Sequence, residues 1–196
     1  MYSTTGMNKI GIFGGTFDPV HKGHIHAAKC FREECGLDLV YVIPNYISNL
    51  KNHRSVSSEH RLAMLELAFG AEEGFVVSDI EIARGGVSYT ADTVRTLQEL
   101  HPESQLYLFF GDDWLEGFPR WHDFEYLRSH LIVALANRSG RDISALTEQL
   151  RNEYGVQIVP LQFTAIPASS TAFRGGDSSL CTEEVNRYIA EKGLYR

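Results

Sequence analysis

Cysteine is scarce in this chain, and long apolar runs are missing from it. The three cysteines, Cys30, Cys35 and Cys181, are odd in number and form no C-x-x-C pair, which argues against a secreted disulfide framework. We therefore predict free thiols and a reducing, cytoplasmic location. Apolar stretches such as residues 131–136 are far shorter than the roughly 18 residues of a transmembrane helix, so no membrane span is predicted.

An excess of positive charge is also missing. The chain has 18 Lys and Arg residues against 25 Asp and Glu residues, and its net charge of -7 opposes non-specific attraction to nucleic acid and to anionic membranes. Neither is expected as a partner. Any bound phosphate must be held by a few positioned groups, which favours a small phosphate-bearing ligand. The oligomeric state stays open, a homo-oligomer included.

Short apolar runs alternate with amphipathic stretches along the sequence. The runs predict buried strands at residues 10–13, 39–43, 75–77, 106–110, 131–135 and 156–161. The amphipathic stretches predict helices at residues 24–35, 58–69, 90–100 and 143–154, and a last helix capped by Thr182 and ended by Gly193. Such alternation predicts an α/β fold, a Rossmann-like, mostly parallel sheet with helices on both faces and a ligand crevice at the carboxyl ends of the strands. We expect residues 1–6, which lack the apolar core of a signal peptide, to form a flexible N-terminal extension before a single domain over residues 7–196.

The first strand leads into G-I-F-G-G-T-F-D-P-V-H-K-G-H at residues 11–24. Gly14 and Gly15 allow close approach of the backbone to a ligand, and the following helix presents unpaired N–H groups at the positive end of its dipole. His21 and His24 are three positions apart, so on a first helical turn they share a face and can donate to one phosphate group. These features predict a phosphate site.

The segment has three other interpretations. A dinucleotide fingerprint requires G-x-G-x-x-G, which is absent, so a redox function loses its main support. A metal site of His21, His24 and His26 lacks a cysteine or nearby carboxylate to complete it. The glycines alone could instead form a tight turn between strand and helix.

Residues 11–24 resemble the H-x-G-H signature of the nucleotidyltransferase superfamily, in the form typical of nicotinate-nucleotide adenylyltransferases. The resemblance extends over residues 10–195. It implies transfer of an adenylyl group from ATP to nicotinate mononucleotide, giving deamido-NAD and pyrophosphate in NAD biosynthesis. It implies Mg2+ as a cofactor bound mainly through the ATP phosphates, with no metal ligands from the protein. His21, His24 and Arg174 are the catalytic residues that it implies.

A second segment, P-A-S-S-T-A-F-R at residues 167–174, resembles the family's I-S-S-T-x-I-R motif. Small hydroxyl residues can cap a helix there, and Arg174 one turn later can bind phosphate oxygens with its forked guanidinium. A plain serine-capped helix is the alternative, and the link after Arg174 looks shorter than is usual in the family. The resemblance implies an ATP-binding set of Gly14, Gly15, Thr16, Phe17, His21, His24, Gly111, Asp113, Ser169, Ser170, Thr171 and Arg174.

The acceptor side resembles the family in two further segments, S-Y-T-A-D-T at residues 88–93 and F-P-R-W at residues 118–121. The resemblance implies that Trp121 stacks on the pyridine ring and that backbone amides near Tyr89 and Thr90 receive the nicotinate carboxylate. Asp18 and Lys51 complete the predicted substrate-binding set. Trp121 could instead be a half-buried core aromatic, and Tyr89 is more ambiguous still.

Asp113 and Lys51 match the family pattern, but neighbouring residues depart from it, including Asp112, where the family usually has a small residue. Asp113, in G-D-D at residues 111–113, either accepts hydrogen bonds from ribose hydroxyls or caps a helix, and both possibilities stay open. Lys51 lacks the usual preceding proline pair and histidine, so either Lys51 reaches the mononucleotide phosphate, with or without His53 and Arg54, or all three are solvated. The alternative functions are a dual-specificity nicotinamide mononucleotide or a phosphopantetheine adenylyltransferase, and a non-catalytic nucleotide sensor. The strictness of the preference for nicotinate is not fixed by the sequence.

Overall fold

The computed structural model describes residues 9–47, 56–162, 164 and 166–195. The strands are β1 (Lys9–Gly15), β2 (Leu39–Pro44), β3 (Phe75–Val77), β4 (Gln105–Gly111), β5 (Leu131–Ala136) and β6 (Gln157–Leu161). The helices are α1 (Lys22–Cys35), α2 (Ser58–Phe69), α3 (Ile80–Arg84), α4 (Thr90–Leu100), α5 (Phe124–His130), α6 (Ser144–Asn152), α7 (Ser170–Arg174) and α8 (Glu183–Lys192). Short 3-10 helices cover Asp112–Arg120 and Ser178–Leu180.

The strands form a six-stranded sheet in the order β3-β2-β1-β4-β5-β6, with helices around it. Ile12, Leu108, Val133 and Ile158 face one another across the parallel pairs of β1, β4, β5 and β6. The order reverses between β1 and β4, and doubly wound sheets of this order bind ligands beyond the carboxyl ends of the strands next to such a reversal. The predicted α/β class and parallel sheet are confirmed.

The chain divides into two compact units. The first contains, among the described residues, 9–13, 30–40 and 89–164. Its centre is β5, all six residues of which are buried, as expected of a strand in a parallel sheet covered on both faces. Leu115, Phe118 and Leu127 are 0% exposed, so each removes a whole apolar side chain from water, worth about 1.5–3 kcal/mol apiece.

The second unit contains residues 14–29 and the described residues of 41–88 and 165–196. Here α2 packs against α8, and the buried faces include Met64 and Leu65 on α2 and Val185 and Ile189 on α8. Thr182 caps α8 by accepting from the Val185 N–H at 3.4 Å, and the helix ends at Gly193 as predicted. This unit holds residues 14–24 of the segment that ends in H-x-G-H.

The predicted strands all occur, and the helix over residues 58–69 has the predicted bounds. The first helix begins at Lys22 rather than at residue 24, so His21 precedes it instead of lying on its first turn. The sequence pattern missed α3, α5 and the 3-10 helix of residues 112–120, because short helices have too few turns to show a period. In addition, Pro119 lies inside the 3-10 helix, and proline is normally a signal against a helix. In the structure the three cysteines are free thiols, and no helix among the described residues has the length and apolarity to cross a membrane.

Candidate active site

His21 and His24 cap the first helix reciprocally. The backbone N–H of His24 donates to Nδ1 of His21 at 3.3 Å, and the backbone N–H of His21 donates to Nδ1 of His24 at 3.2 Å. This is the geometry of a capping box, in which the residue before the helix and the residue three positions later each satisfy the other's N–H. The spacing H-x-x-H therefore has a local structural cause as well as a chemical one.

The capping bonds also determine which ring nitrogen carries the proton. A nitrogen that accepts an N–H must offer a lone pair, so the neutral rings of His21 and His24 carry their protons on Nε2. The two rings are stacked, with centroids 3.6 Å apart and planes inclined by 23°. Both Nε2–H groups are consequently donors on adjacent, parallel rings, which suits two contacts to one phosphate group. The predicted pairing of the histidines occurs, although His21 acts from the cap position and not from the first turn.

The glycines before this cap differ in their surroundings. A Cβ added to Gly14, which is exposed, would meet no atom within 4 Å, so protein packing does not require a glycine there. A Cβ on Gly15 would lie 3.0 Å from the ring of Phe17, a buried residue with a left-handed φ of 51°. Phe17 in turn places its ring against His24, edge to face, at 5.0 Å. The open side of Gly14 fits the expectation that a ligand approaches the backbone at this point.

Arg61, on α2, holds the loop that carries these residues and was not singled out from the sequence. Its side chain is buried, and Nη1 donates to the carbonyl oxygen of Thr16 at 2.9 Å and to Oδ1 of Asn45 at 3.2 Å. Nη2 donates to the carbonyl oxygens of Asn45 at 2.6 Å and Tyr46 at 3.3 Å, and Nε donates to that of Val56 at 3.4 Å. Burial lowers the pKa of Arg61, an effect that the negative charge of Asp18 opposes.

The buried guanidinium of Arg61 thus connects the loops after β1 and β2. Asn45 adds a second link, because its Nδ2 donates to Oγ1 of Thr16 at 3.2 Å. Thr16, predicted to bind ATP, has a side chain with protein partners and is 9% exposed. Its contribution in this structure is to fix the course of the backbone between Gly15 and Phe17.

Asp18, predicted to bind substrate, is buried, and its carboxylate has contacts inside the protein. Its Oδ1 accepts from the hydroxyl of Tyr195 at 2.7 Å and from the backbone N–H of Val56 at 3.4 Å. Its Oδ2 lies 3.6 Å from Nη1 of Arg174. Direct contact of Asp18 with the acceptor stays a prediction.

The segment P-A-S-S-T-A-F-R forms α7, as the serine cap predicted. Ser169 accepts from the Ala172 N–H at 3.0 Å, and the hydroxyl of Ser170 donates to the carbonyl oxygen of Pro19 at 2.9 Å. Arg174 donates from Nη1 to the carbonyl oxygen of Asp18 and from Nη2 to Oγ1 of Thr171 at 3.3 Å. Two of the predicted ATP ligands, Ser170 and Arg174, are therefore fastened to the loop of the H-x-G-H segment.

The start of α4 in the first unit has the donors that the acceptor hypothesis requires. Tyr89 occupies the cap position of this 11-residue helix, but its side chain makes no capping hydrogen bond. The Asp92 N–H donates to the Tyr89 carbonyl oxygen at 3.2 Å, whereas the N–H groups of Thr90 and Ala91 receive no side-chain cap from Tyr89 and lie at the positive end of the helix dipole. The ring of Tyr89 lies 4.3 Å from that of His122, an aromatic neighbour that the sequence did not indicate.

Trp121 is half-buried at the edge of an aromatic cluster. Its ring is 5.3 Å from Phe110, 5.4 Å from Phe118 and 6.4 Å from Trp114. Trp121 therefore contributes to the aromatic core, and an indole held by such neighbours loses little entropy when a planar ring stacks on its face. Stacking on substrate stays a prediction.

Asp113 does not cap a helix in this structure, and its contact with ribose hydroxyls stays a prediction. Oδ1 pairs with Nη2 of Arg138 at 2.5 Å, and no side chain caps the 3-10 helix that begins at Asp112. The neighbouring Asp112 is buried and accepts from the Arg138 N–H at 2.9 Å and from the hydroxyl of Ser139. Burial acts to raise the pKa of Asp112, but these hydrogen bonds outweigh it and hold the pKa below the ordinary 3.8. Lys51, His53 and Arg54 lie outside the described residues.

The fold, the glycine-rich turn and the paired histidines at the start of α1 together define a nucleotidyltransferase. A family model described as cytidylyltransferase-like matches residues 12–176, and the chain belongs to this family. Within it, the chain is similar along nearly its whole length to proteins named "Probable nicotinate-nucleotide adenylyltransferase". One from Neisseria meningitidis serogroup C is 38% identical over 96% of this chain and 99% of its own length, and one from Enterococcus faecalis is 35% identical over 96% and 85%.

The fold is also similar to that of a solved structure. Nicotinic acid mononucleotide adenylyltransferase of Plasmodium falciparum, complexed with NaAD, matches with a TM-score of 0.78 at 18% identity, covering 96% of this chain and 97% of that chain. At this identity the similarity concerns the fold. The curated relatives, at 35–38% identity, place the chain in the family of nicotinate-nucleotide adenylyltransferases.

Proposed function

We propose that the protein transfers the adenylyl group of ATP to the phosphate of nicotinate mononucleotide, forming deamido-NAD and pyrophosphate. The observation that carries this proposal is the reciprocal cap of His21 and His24, which directs two Nε2–H donors from stacked rings in a loop whose Gly14 leaves room for a ligand. The names of the relatives supply the acceptor and the product.

The reaction asks little covalent chemistry of the protein. The attacking group is a phosphate oxygen of the mononucleotide, which is ionised at neutral pH, so no general base is needed. A P–O bond forms to the α-phosphate of ATP while the bond to pyrophosphate breaks, and negative charge builds up on the departing group. His21 and His24 donate to the α-phosphate side, and Arg174 stabilises the triphosphate.

Enzymes of this family use a divalent metal together with ATP. No group of three His, Cys, Asp or Glu side chains that could hold a metal ion occurs in the described part of the chain. We propose that the ion is Mg2+ that enters with ATP and would be bound by the phosphates of the substrate. When bound, the cation would supply neutralisation of the triphosphate charge, while His21 and His24 donate hydrogen bonds from the protein side.

On the acceptor side, the start of α4 distinguishes acid from amide. A carboxylate accepts from the N–H groups that follow Tyr89, whereas the NH2 of nicotinamide would meet donors with a donor. Trp121 offers a stacking surface that does not sense this difference.

Free thiols at all three cysteines support the cytoplasmic location that the sequence predicts.

A pyrophosphate-release assay with MgATP tests the proposal against its alternatives. The acceptors are nicotinate mononucleotide, nicotinamide mononucleotide and phosphopantetheine, each at equal concentration. We expect the fastest pyrophosphate release with nicotinate mononucleotide. Mass spectrometry should then detect deamido-NAD as the product. Equal rates with the two mononucleotides would establish a dual-specificity enzyme, release only with phosphopantetheine would replace the acceptor, and ATP binding without release would indicate a sensor.

A further inference from the structure

Three distant parts of the sequence meet at the carboxylate of Asp18. The loop before α1 supplies Asp18, α7 supplies Arg174, and the segment after α8 supplies Tyr195. All three belong to the second unit. Asp18 and Tyr195 are separated by 177 positions, so their contact is not a local turn but a specific long-range link.

The two oxygens of this carboxylate have different partners. Oδ1 accepts a short hydrogen bond of 2.7 Å from the Tyr195 hydroxyl. Oδ2 faces Arg174 at 3.6 Å, which is longer than a charge-assisted hydrogen bond of about 2.7–2.9 Å. Arg174 is instead hydrogen-bonded to the main-chain oxygen of Asp18. The guanidinium is therefore kept near the loop, but not in a two-pronged pair with the carboxylate.

A bidentate pair would compete with substrate for the same donors. Carboxylate and phosphate both match the fork of a guanidinium, and a closed Arg174–Asp18 pair would use the N–H groups that a triphosphate needs. Closing that pair requires both carboxylate oxygens. Each carboxylate oxygen has two acceptor positions, and those of Oδ1 are filled by the Tyr195 hydroxyl and the Val56 N–H together, so Arg174 faces the carboxylate only through Oδ2.

We propose that Tyr195 is a positioning residue for triphosphate binding: by holding one oxygen of Asp18 it prevents a bidentate Arg174–Asp18 pair and leaves the guanidinium able to turn to the phosphates of ATP. The proposal deepens the function proposed above and rests on it for the reaction, whereas triphosphate binding can be measured without any acceptor.

The surroundings of Tyr195 suit such a role. Its ring packs edge to face on Phe173, the residue before Arg174 on α7, with centroids 5.7 Å apart. Its φ of 60° is left-handed, a conformation that a non-glycine residue keeps only where its contacts hold it. Burial, together with the hydrogen bond to Asp18, raises the pKa of Tyr195 well above its ordinary value, so the hydroxyl remains a donor at any working pH.

The test removes the Tyr195 hydroxyl alone, with Tyr195→Phe. Tyr188→Phe is the matched control, because that hydroxyl also bonds a side chain of the second unit, Nδ1 of His60 at 2.9 Å, outside the proposed site. Calorimetry gives Kd for inorganic tripolyphosphate and for MgATP, and pyrophosphate release gives kcat and KM. We expect Tyr195→Phe to weaken tripolyphosphate about tenfold and to raise KM for ATP to match, with KM for the acceptor unchanged. Tyr188→Phe should stay within about twofold.

A second pair of variants separates positioning from a loss of structure. In Asp18→Asn/Tyr195→Phe the amide cannot form the competing ion pair, so affinity for tripolyphosphate should recover to within about threefold of the parent. In an Arg174→Ala background, Tyr195→Phe should cause no further loss. Parent-like affinity in Tyr195→Phe, the same loss in both backgrounds, or no recovery in the double variant would each overturn the proposal. Absence of pyrophosphate release from the parent would refute the proposed function instead, and the Kd values would still decide this one.

Discussion

Replacing Arg61 should destabilise the protein more than its place in an ordinary helix suggests. The guanidinium is 2% exposed and donates five hydrogen bonds, three of which, at 2.6, 2.9 and 3.2 Å, are short enough to be strong. In Arg61→Met an apolar chain of similar length fills the space, and the carbonyl oxygens of Thr16, Asn45 and Tyr46 lose their donor. The perturbation therefore reaches the loop that carries the phosphate site.

The magnitude follows from two opposing effects. Hydrogen bonds from a charged donor contribute about 1.5–3 kcal/mol each, so the three short ones amount to roughly 5–9 kcal/mol. Keeping a guanidinium out of water costs several kcal/mol, which Arg61→Met no longer incurs. We expect a net loss of about 3 kcal/mol in the free energy of unfolding, or about 6–12 °C in Tm for a chain of this size. Arg61→Lys keeps the charge but loses the forked guanidinium, so its free energy of unfolding should lie between those of Arg61→Met and the parent.

Calorimetric Tm and urea titration measure this change, with Arg128→Met as the matched control. Arg128 pairs with Glu125 and donates to the Tyr154 carbonyl oxygen from a partly exposed position, so its replacement should lower Tm much less than that of Arg61. In Arg61→Met we also expect a lower kcat/KM for ATP at temperatures where the variant is folded, since Thr16 loses its anchor. An Arg61→Met protein as stable as Arg128→Met would refute the argument that the buried fork holds the two loops together.

His24→Ala should lower kcat by about 10^2 to 10^3 with a smaller change in KM for ATP, because a donor to developing charge is lost; unchanged turnover in a folded variant would contradict the role of the histidine pair. The enzyme should prefer nicotinate over nicotinamide mononucleotide by at least about tenfold in kcat/KM, and Trp121→Ala should weaken both acceptors alike while sparing ATP. Equal kcat/KM values for the two mononucleotides, measured side by side, would disprove the predicted preference. Asp112 has a pKa below 3.8 in the folded state, so the unfolded chain binds its proton first and stability falls as the pH drops below about 4; Asp112→Asn should flatten that fall in acid unfolding curves.

The strands and the histidine pair could be predicted because each leaves a pattern in neighbouring positions. Runs such as residues 131–136 are apolar at every position, as a strand covered on both faces requires, and the spacing of His21 and His24 places their rings together. The precise start of α1 was missed by two residues, because a histidine is an unusual cap and the signal for helix starts rests on Ser, Thr, Asp and Asn.

Arg61 and Tyr195 could not be found in the same way. Arginine on an amphipathic helix is normally exposed, and the partners of Arg61 are mostly main-chain carbonyl oxygens, which carry no residue-type signature. Tyr195 contacts a residue far away in the sequence, and only the folded chain brings the two together. The pairing of Asp113 with Arg138 could not be predicted either, because the two residues lie in separate segments of the chain.

Because Asp18 and Tyr195 lie far apart in the sequence, the ribosome synthesises them at different times. At about 5–20 residues per second, the ribosome needs on the order of 10–35 seconds to add the 177 positions between them. During this interval the nascent chain already contains the H-x-G-H loop but not the Tyr195 hydroxyl that donates to Asp18. The phosphate side of the site can therefore be completed only at the end of translation. A nascent fragment released before Tyr195 would contain the H-x-G-H signature without this hydrogen bond.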